Sequence, residues 1–457
     1  MMKITNFIVK ENASLLESME LIEKNTYGIV FVATQKGKIF ASLTDGDIRR
    51  YLLKNGQLGD LAVSACNKKF QFVYDNFSRA DILKLFDQRI KVIPVLDHSK
   101  NLKRVAEKSQ FLAREEKAIY ARSKAPVRIS FGGGGSDKSD YFLKYGVGAV
   151  VNSAINLYSR ANLIKRKDKT VKFTSDDFAI KEEFSDTNQA IKESKLGLFS
   201  SVLKLVSPDF GFELTVRSDF PPNSGLGGSS AVCCSILGCF NEFRIDKWSR
   251  YEISELAYQA ERIEFGVEGG WQDQYASSFG GTNYIEFAPE KNTVQRIHLK
   301  DNQKNELEAC LKLVRVTGTH TSGTIHKDQS KVLKSHKVAS QVAQNVKLCE
   351  TIKEDLLSEK YFNLGRHLAQ GWEIKKKFSN LISNRKVDEI YNLGISNGAN
   401  GGKLLGAGGA GFMLFFVSRE NEIRFLNNMR AENLEIMDVE LDQFGLQSWS
   451  TRIQEVS

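Results

Sequence analysis

The chain has 457 residues, of which 41% are hydrophobic and 26% charged, values typical of globular proteins with sizeable cores. This length exceeds what one core usually holds, so we expect two or three domains. The formal charge is +9, but lysines and arginines are scattered and no basic stretch alternates with aromatic residues, so nucleic acid is not an expected partner. An anionic small-molecule substrate would account for the positive charge at least as well as nucleic acid would. No apolar run approaches the roughly 20 residues of a membrane span, and the first ten residues lack a secretory pattern, so we expect a cytoplasmic protein with no membrane partner.

The cysteines and histidines do not have the spacing of a metal site. The six cysteines contain no C-x-x-C pair, and three of them lie in the apolar run 231–240, where a reduced cysteine acts as a small buried hydrophobe. His320 and His326 are isolated from other ligand-type residues. Surface or hydrogen-bonding roles are expected for both histidines.

Residues 1–106 predict two degenerate α/β repeats. The pattern at 29–43 indicates a β-hairpin, and 44–53 indicates a capped amphipathic helix. A similar order returns where a helix-like stretch at 79–86 precedes the apolar run 92–96. The pair resembles a tandem CBS regulatory module.

Thr44 and Asp47 match the Thr-x-x-Asp with which many CBS repeats hold the ribose of an adenine nucleotide. A hydroxyl and a carboxylate at a helix start are suited to bonding a diol. The same two residues, or Asp45, would also serve as a helix cap, and no such pair follows Leu96 in the second repeat. Nucleotide sensing and a dimerising or structural role both stay open for this module, and we expect a homodimer.

Residues 107–122, charged and rich in Lys, Glu and Ala, predict a connecting helix. Beyond it, strands and helices are mixed as in an α+β fold. Strands are predicted at 127–131, 148–153, 158–164, 171–174, 212–216 and 411–417, and helices from about 230 and at 251–266, 330–357 and 361–378.

Three glycine-rich loops lie at 132–135, 225–228 and 406–411. The middle loop runs directly into the apolar stretch 231–240. Glycine lets backbone N–H groups approach a ligand, and a helix start offers unpaired N–H donors with partial positive charge, so this loop predicts a phosphate cradle. A tight turn capped by Ser229 or Ser230 would give the same local pattern. The chain lacks the P-loop and dinucleotide fingerprints, so another kind of nucleotide fold is needed.

The segment Pro222-Asn-Ser-Gly-Leu-Gly-Gly-Ser-Ser-Ala231 resembles the P-x-x-x-G-L-G-S-S-A motif of the GHMP small-molecule kinases. Residues 125–137 resemble the first motif of that family and 403–411 the third, so the resemblance covers about 123–457. It implies an ATP- and Mg²⁺-dependent kinase with an α+β two-lobe fold. The lobes would be an S5-like N-lobe at 123–300 and a ferredoxin-like C-lobe at 301–457.

The resemblance also implies roles for particular residues. Asp273 would accept or align the acceptor proton, and Arg128 would stabilise the transferring phosphoryl group. Ser230 and Glu261 would bind Mg²⁺, which prefers hard oxygen ligands. Without the resemblance to this family, Glu261 would be interpreted as a solvated or salt-bridged residue. Helical spacing would place Arg262 on a different face of the helix. The implied ATP-binding residues are Pro222, Ser224, Gly225, Leu226, Gly227, Gly228, Ser229 and Ser230.

Substrate contacts are implied for the first and third loops. Asp137 would bind sugar hydroxyls, although capping the turn that follows it is an alternative. Lys403 opens the third loop, where Ala410 replaces a glycine usual in the family. The implied substrate-binding residues are Gly134, Ser136, Asp137, Lys403, Gly408 and Gly409.

Within the family, Gly132–Asp137 and Gly270–Ala276 are similar to the D-glycero-D-manno-heptose 7-phosphate kinases. That group implies phosphorylation of the anomeric hydroxyl to a 1,7-bisphosphate, on the way to nucleotide-activated heptose and surface polysaccharide. The alternatives are an anomeric kinase of the fucose or galactose type and a catalytically inactive CBS-based adenylate sensor. A cationic pocket for a distal phosphate would distinguish a kinase of heptose 7-phosphate from a kinase of unphosphorylated fucose or galactose. The sequence does not locate such a pocket.

Overall fold

The computed structural model describes residues 4–77, 82, 85, 90–107, 120–318, 325, 328 and 336–451. The chain divides into two units, Met1–Glu116 and Lys117–Ser457. The predicted helix at 79–86, apart from Ile82 and Leu85, lies outside the described residues, as do His320 and His326. Among the helices of the described ranges, none has the length and apolar character needed to cross a membrane.

The predicted connecting helix at 107–122 is wrong at both ends. Glu107 closes a strand, and Tyr120–Arg122 open another, because each end pairs with a neighbouring strand. The residues between these ends lie outside the described part of the chain.

The N-terminal unit contains two three-stranded sheets of the same topology. Its strands are β1 (Ile8–Lys10), β2 (Ile29–Ala33), β3 (Ile39–Thr44), β4 (Val73–Tyr74), β5 (Val92–Leu96) and β6 (Leu102–Glu107), its helices are Leu15–Asn25 and Asp45–Leu52, and short 3-10 turns lie at Ile4–Phe7 and Ala62–Ser64. In each sheet the first strand pairs parallel with the second, and the second pairs antiparallel with the third. The predicted internal repeat is confirmed at the level of strand topology.

The helix Asp45–Leu52 begins with a capping box formed by the two residues expected to bind ribose. The hydroxyl of Thr44 accepts from the Asp47 N–H at 3.1 Å, and the Asp47 carboxylate accepts from the Thr44 N–H at 3.0 Å. Ser14 and Glu17 form the same arrangement at the start of Leu15–Asn25. The helix-cap alternative is therefore observed, and ribose binding stays a prediction.

The C-terminal unit has the predicted α+β composition. Its strands are β7 (Tyr120–Gly132), β8 (Gly148–Lys165), β9 (Val171–Ser175), β10 (Ile180–Phe184), β11 (Phe212–Ser218), β12 (Thr282–Phe287), β13 (Thr293–Arg296), β14 (Leu311–Val316), β15 (Ala399–Leu404), β16 (Gly411–Val417), β17 (Ile436–Asp438) and β18 (Gln447–Thr451). Its helices are Ser139–Tyr145, Thr187–Glu193, Gly197–Val206, Gly228–Asn241, Arg250–Tyr258, Gln272–Phe279, Asp301–Cys310, His336–Leu357, Leu364–Lys376, Arg385–Ser396 and Arg419–Ala431, with a π-helical turn at Gln259–Glu264 and a 3-10 turn at Tyr361–Asn363.

Two sheets organise this unit. The larger has eight strands, with β10-β9-β11-β8-β12-β13 in order and β7 and β18 joined through β8. The smaller is a four-stranded antiparallel sheet in the order β15-β16-β14-β17. β18 belongs to the larger sheet, so the range 301–457 expected for the C-lobe includes a segment that returns to the N-lobe.

The helix Gly228–Asn241 is the buried centre of the larger lobe. Cys233, Cys234 and Cys239 lie on it, are fully buried and reduced, and pack in the main core. Burial raises the pKa of the Cys239 thiol to about 12, so it stays protonated and apolar in character. The interpretation of these cysteines as small core residues is confirmed.

Candidate functional site

A cavity of about 540 Å³ lies in the C-terminal unit and is lined by parts of all three glycine-rich loops. One group of its lining residues is apolar and aromatic, as suits a nucleobase: Phe173, Leu198, Phe199, Val216 and Phe220. Phe173 and Phe199 stack with ring centroids 4.0 Å apart. The sequence did not single out these residues, because an aromatic residue in a strand or helix has the same pattern whether it lines a pocket or fills a core.

The second and third loops pack directly against each other. A Cβ on Gly225 would lie 2.9 Å from the Leu405 carbonyl oxygen, and a Cβ on Gly406 would lie 2.6 Å from the Gly225 Cα. Both glycines have positive φ, of 74° and 69°. Glycine is required at both positions because any side chain would separate the loops.

The second loop presents a helix start to the cavity. The helix begins at Gly228 after Gly227 at φ 80°, and no side chain caps it, so the alternative of a tight turn capped by Ser229 or Ser230 is not observed. The uncapped N–H groups of a first turn suit a phosphate. Pro222, Ser224, Gly225, Gly227, Gly228 and Ser229 line the cavity, whereas Leu226 and Ser230 are buried behind the loop.

Arg128 joins the first and second motifs to Asp273. Its Nε and Nη2 atoms contact Asp273 Oδ1 at 2.8 and 2.6 Å, and its Nη1 donates to the Gly225 carbonyl oxygen at 2.7 Å. The Arg128 side chain is 4% exposed and that of Asp273 is 16% exposed. The ion pair is thus largely shielded from water and fixed against the phosphate loop.

Glu261 is buried beneath the same loop, at 1% exposure. Its carboxylate accepts hydrogen bonds from Ser230 at 2.5 Å, from Gln274 at 2.7 Å and from the Ser229 hydroxyl. The predicted pairing of Ser230 with Glu261 is therefore observed as a contact. Ser229 joins them and, unlike Ser230, lines the cavity.

Arg262 is a site residue that the sequence reasoning missed. It was expected on a different helix face from Glu261, but its guanidinium lies 3.2 Å from the Glu261 carboxylate and lines the cavity. The segment is a π-helical turn, with Phe265 N donating to Ala260 O at 3.0 Å, and this wider turn rotates neighbouring residues less than an α-helix does. The two side chains therefore meet within a π-helical turn rather than a regular α-helix.

Asp137 lies opposite, where the first loop meets the Gly270–Trp271 turn. Its carboxylate accepts from the Gly135 N–H at 3.0 Å and the Gln272 N–H at 3.3 Å. Burial, followed by the negative charge of Asp273, raises the pKa of Asp137. The alternative in which Asp137 caps the next turn is not observed, since no side chain caps the helix Ser139–Tyr145.

Comparison of the chain with known proteins identifies its family. The family model for the GHMP kinases N terminal domain matches residues 193–281. The D-glycero-alpha-D-manno-heptose 7-phosphate kinase of Campylobacter jejuni is 34% identical over 334 residues, which cover 72% of this chain and 98% of that protein. The L-fucokinase/L-fucose-1-P guanylyltransferase of Bacteroides fragilis is 28% identical over 340 residues, which cover 67% of this chain and 35% of that protein. The chain belongs to the GHMP kinases.

The fold comparison agrees with this assignment. The crystal structure of a D-glycero-D-manno-heptose 1-phosphate kinase from Bacteroides thetaiotaomicron matches with a TM-score of 0.59 at 27% identity, covering 73% of this chain and all of that one. The expectation of an ATP-dependent sugar kinase with the GHMP fold is confirmed at this level.

Several residues implied by the GHMP motifs do not reach the cavity. The Ser136 hydroxyl is buried and bonded to the carbonyl oxygens of Gly133 and Ala149 at 2.8 and 2.9 Å, so it fixes the first loop. Gly408 and Gly409 pack on Ile382, whose carbonyl oxygen accepts from the Gly409 N–H at 2.9 Å. The expectation that these three contact substrate is not supported by their positions.

The third GHMP motif reaches the cavity with other residues. Leu405, Gly406 and Ala407 line it, together with Lys403. Gly134 also lines it, and its carbonyl oxygen accepts from the Asn345 side chain at 3.1 Å. Asn345 therefore ties the first loop to the C-lobe helix His336–Leu357.

Proposed function

We propose that this GHMP kinase transfers the γ-phosphoryl group of ATP to the anomeric hydroxyl of D-glycero-D-manno-heptose 7-phosphate, giving the 1,7-bisphosphate and ADP. The acceptor oxygen forms the new P–O bond as the bond to the ADP oxygen breaks, and its proton passes to Asp273. The observation that carries the proposal is the Arg128–Asp273 pair held against Gly225 of the phosphate loop. The heptose kinase of Campylobacter jejuni, 34% identical, supports the choice of acceptor.

We propose that Glu261 and Ser230 would hold a magnesium ion. Ser230 is buried behind the loop, so its hydroxyl would have to turn from its hydrogen bond with Glu261 to the ion, beside Ser229, which lines the cavity. A carboxylate and a hydroxyl 2.5 Å apart are hard ligands, and ATP phosphate and water oxygens would complete an octahedron. Bound there, the ion would neutralise phosphate charge during transfer. Among the described residues, no group of three or more His, Cys, Asp or Glu side chains is arranged to hold a metal by itself.

The second candidate is an anomeric kinase of the fucose or galactose type, favoured by the 28% identity to the Bacteroides fragilis fucokinase. An inactive adenylate sensor would not need Arg128, Asp273, Ser230 and Glu261 assembled around one cavity. The link to nucleotide-activated heptose and surface polysaccharide follows only if heptose 7-phosphate is the acceptor.

The deciding experiment follows ATP consumption and identifies the product by phosphorus NMR. Heptose 7-phosphate is offered beside unphosphorylated fucose, galactose and mannose, with Asp273→Asn as the control for contaminating kinases. Formation of a 1,7-bisphosphate supports the proposal. Turnover of a free sugar favours the second candidate, and no turnover of any acceptor favours the sensor.

We also propose that residues 1–106 form a CBS-like regulatory module, supported by the repeated sheet topology, and that the chain forms a homodimer. An adenine nucleotide would have to open the hydrogen bonds between Thr44 and Asp47 to reach them. Calorimetry with AMP and ATP tests whether the module binds an adenine nucleotide. Sedimentation of the full chain tests whether it forms a dimer.

A further inference from the structure

Two buried lysines in the cavity do not form an ion pair. Lys403 on β15 and Lys375 on the helix Leu364–Lys376 both line it, and Lys403 is only 4% exposed. Across the described residues, no hydrogen bond or ion pair involves the Lys403 ammonium. Lys375 donates to the carbonyl oxygens of Leu404 and Gly406 at 3.0 and 2.5 Å, which uses two of its three N–H groups.

Lys312 provides an internal comparison. It lies on β14 of the same sheet at the same 4% exposure, outside the cavity, and its ammonium contacts Glu422 at 2.9 Å and Asp438 at 2.8 Å. Burial lowers the pKa of Lys312, but these carboxylates outweigh burial and the net shift is upward. A buried lysine with a purely structural role in this sheet thus has a counter-charge.

The pKa values of the two cavity lysines shift in the opposite direction from that of Lys312. Burial lowers the pKa of Lys403 to about 8, and the charge of Arg128 acts in the same direction. Burial and the charges of Lys403 and Arg128 lower the pKa of Lys375 well below its usual value, and the smaller opposing effect of the Asp137 charge does not offset them. Two like charges held together away from water are costly unless an anion joins them.

We infer that Lys403 and Lys375 form a subsite for the distal phosphate of the acceptor, an inference that rests on the kinase function proposed above. A phosphomonoester dianion matches two ammonium groups in charge, and both lysines project from rigid elements, a strand and a helix. The ATP phosphates would instead occupy the start of the helix Gly228–Asn241, which no side chain caps.

The surroundings of the lysines suit an acceptor. Asn345, Gly371 and Phe378 line the cavity together with Lys375. A Cβ on Gly135 of the first loop would lie 3.1 Å from the Phe378 ring, so this loop closes on the same C-lobe segment. The subsite would therefore lie where the first loop and the C-lobe helices meet.

The test compares heptose 7-phosphate with the same heptose lacking phosphate, in the wild type and in Lys403→Met. Methionine keeps the length of the side chain and removes its charge. We expect kcat/KM for the phosphorylated acceptor to fall about 10- to 100-fold, as for loss of a charged hydrogen bond, and kcat/KM for the free heptose to stay within about threefold. Lys312→Met is the matched control and should leave both acceptors unaffected.

Three results would overturn the inference. Retention of the preference for heptose 7-phosphate in Lys403→Met would refute the subsite and leave the proposed function intact. An equal loss of kcat for both acceptors would assign the lysines to the transferring phosphoryl group. Equal binding of inorganic phosphate by wild type and Lys403→Met, measured by calorimetry with saturating Mg²⁺ and a non-hydrolysable ATP analogue, would show that Lys403 is not part of an anion site.

Failure of the proposed function is recognised separately. If the wild type phosphorylates no heptose 7-phosphate, the proposed function falls. Phosphate binding that is present in the wild type and Lys312→Met but lost in Lys403→Met would then still support an anion subsite at these lysines.

Discussion

Arg128 contacts Asp273 through one carboxylate oxygen only. Both of its nitrogen contacts, at 2.8 and 2.6 Å, reach Oδ1, and its third donor group is held by the Gly225 carbonyl oxygen. The arginine thus fixes the carboxylate beside the phosphate loop while Oδ2 remains for an acceptor hydroxyl. This arrangement would let one residue of β7 support both proposed roles, proton removal by Asp273 and positioning of the phosphoryl group.

Asp273→Asn should lower kcat by about 10²- to 10⁴-fold, because an amide cannot accept the acceptor proton in the transition state. ATP binding should persist, since asparagine keeps the size of the side chain and Arg128 can still donate to the Gly225 carbonyl oxygen of the phosphate loop. Single-turnover kinetics and nucleotide titration measure the two effects. Asp219→Asn, which removes a partly exposed partner of Arg160, is the control and should leave kcat unchanged. Near wild-type turnover in Asp273→Asn would remove Asp273 from the mechanism.

Gly227→Ala should reduce kcat because the new methyl group would lie 3.1 Å from Asp273 Cγ and displace the carboxylate. Gly227 also has φ 80°, which strains any other residue by about 1–2 kcal/mol. Gly266→Ala separates the two effects, since Gly266 has φ 77° and no atom lies within 4 Å of an added Cβ. We expect similar losses of thermal stability but a loss of kcat only in Gly227→Ala. Equal kcat in the two variants would show that the glycine serves backbone conformation alone.

Local signals in the sequence predicted much of the fold. The strand Gly411–Val417 has the bounds expected from its apolar run, and the helix after the phosphate loop begins within two residues of the expected position. The expected break at 154–157 within β8 was wrong, because β7 pairs with β8 on both sides of this stretch and absorbs it as a register shift between Ile155 and Tyr158.

Contacts set by tertiary packing could not be predicted. Arg262 contacts Glu261 within a π-helical turn, which has no periodic signature in the sequence. Gly408 and Gly409 turn toward Ile382, and Lys403 comes close to Lys375 only when the helix Leu364–Lys376 packs on β15. Motif spacing identifies which residues are near a site, but packing decides which of them face it.

Glu261→Gln should raise the Mg²⁺ concentration needed for half-maximal activity, because the amide keeps the shape of the side chain but loses the charge that attracts the ion. It should also destabilise the fold, since Arg262 would lose its buried counter-charge. Glu264→Gln, on the same π-helical turn but paired with Lys204 nearer the surface, is the matched control. Activity is titrated with Mg²⁺ for all three proteins. Identical Mg²⁺ curves would exclude Glu261 as a metal ligand.

Thr44→Ala should weaken the helix Asp45–Leu52 by about 1 kcal/mol through loss of the capping box. Ser14→Ala removes the equivalent box of the helix Leu15–Asn25 and should have an effect of similar size. Hydrogen exchange of the amides in each helix measures both. If Thr44 is only a cap, neither variant changes the calorimetric response to AMP or ATP. Loss of a nucleotide response in Thr44→Ala alone would instead support ligand binding by the module.

The stability of the C-terminal unit should depend on pH through Lys403. Its pKa is about 8 in the folded protein, against an ordinary value of 10.5. Below pH 8 both states hold the proton and the folded state carries the full cost of the buried charge. Between about pH 8 and 10.5 the folded state has released the proton while the unfolded chain keeps it, so Lys403 opposes folding less as pH rises.

Lys403→Met should therefore be more stable than the wild type below pH 8, by on the order of 3 kcal/mol, and this advantage should shrink as pH rises to 10.5. Lys312→Met should show the opposite sign, because the raised pKa of Lys312 means that its charge stabilises the fold. Tryptophan fluorescence during denaturation follows this unit selectively, since Trp248, Trp271, Trp372 and Trp449 all lie in it. A constant difference between wild type and Lys403→Met from pH 7 to 10.5 would mean that Lys403 has the same pKa in the folded and the unfolded protein, and the argument for an unpaired buried cation would fail.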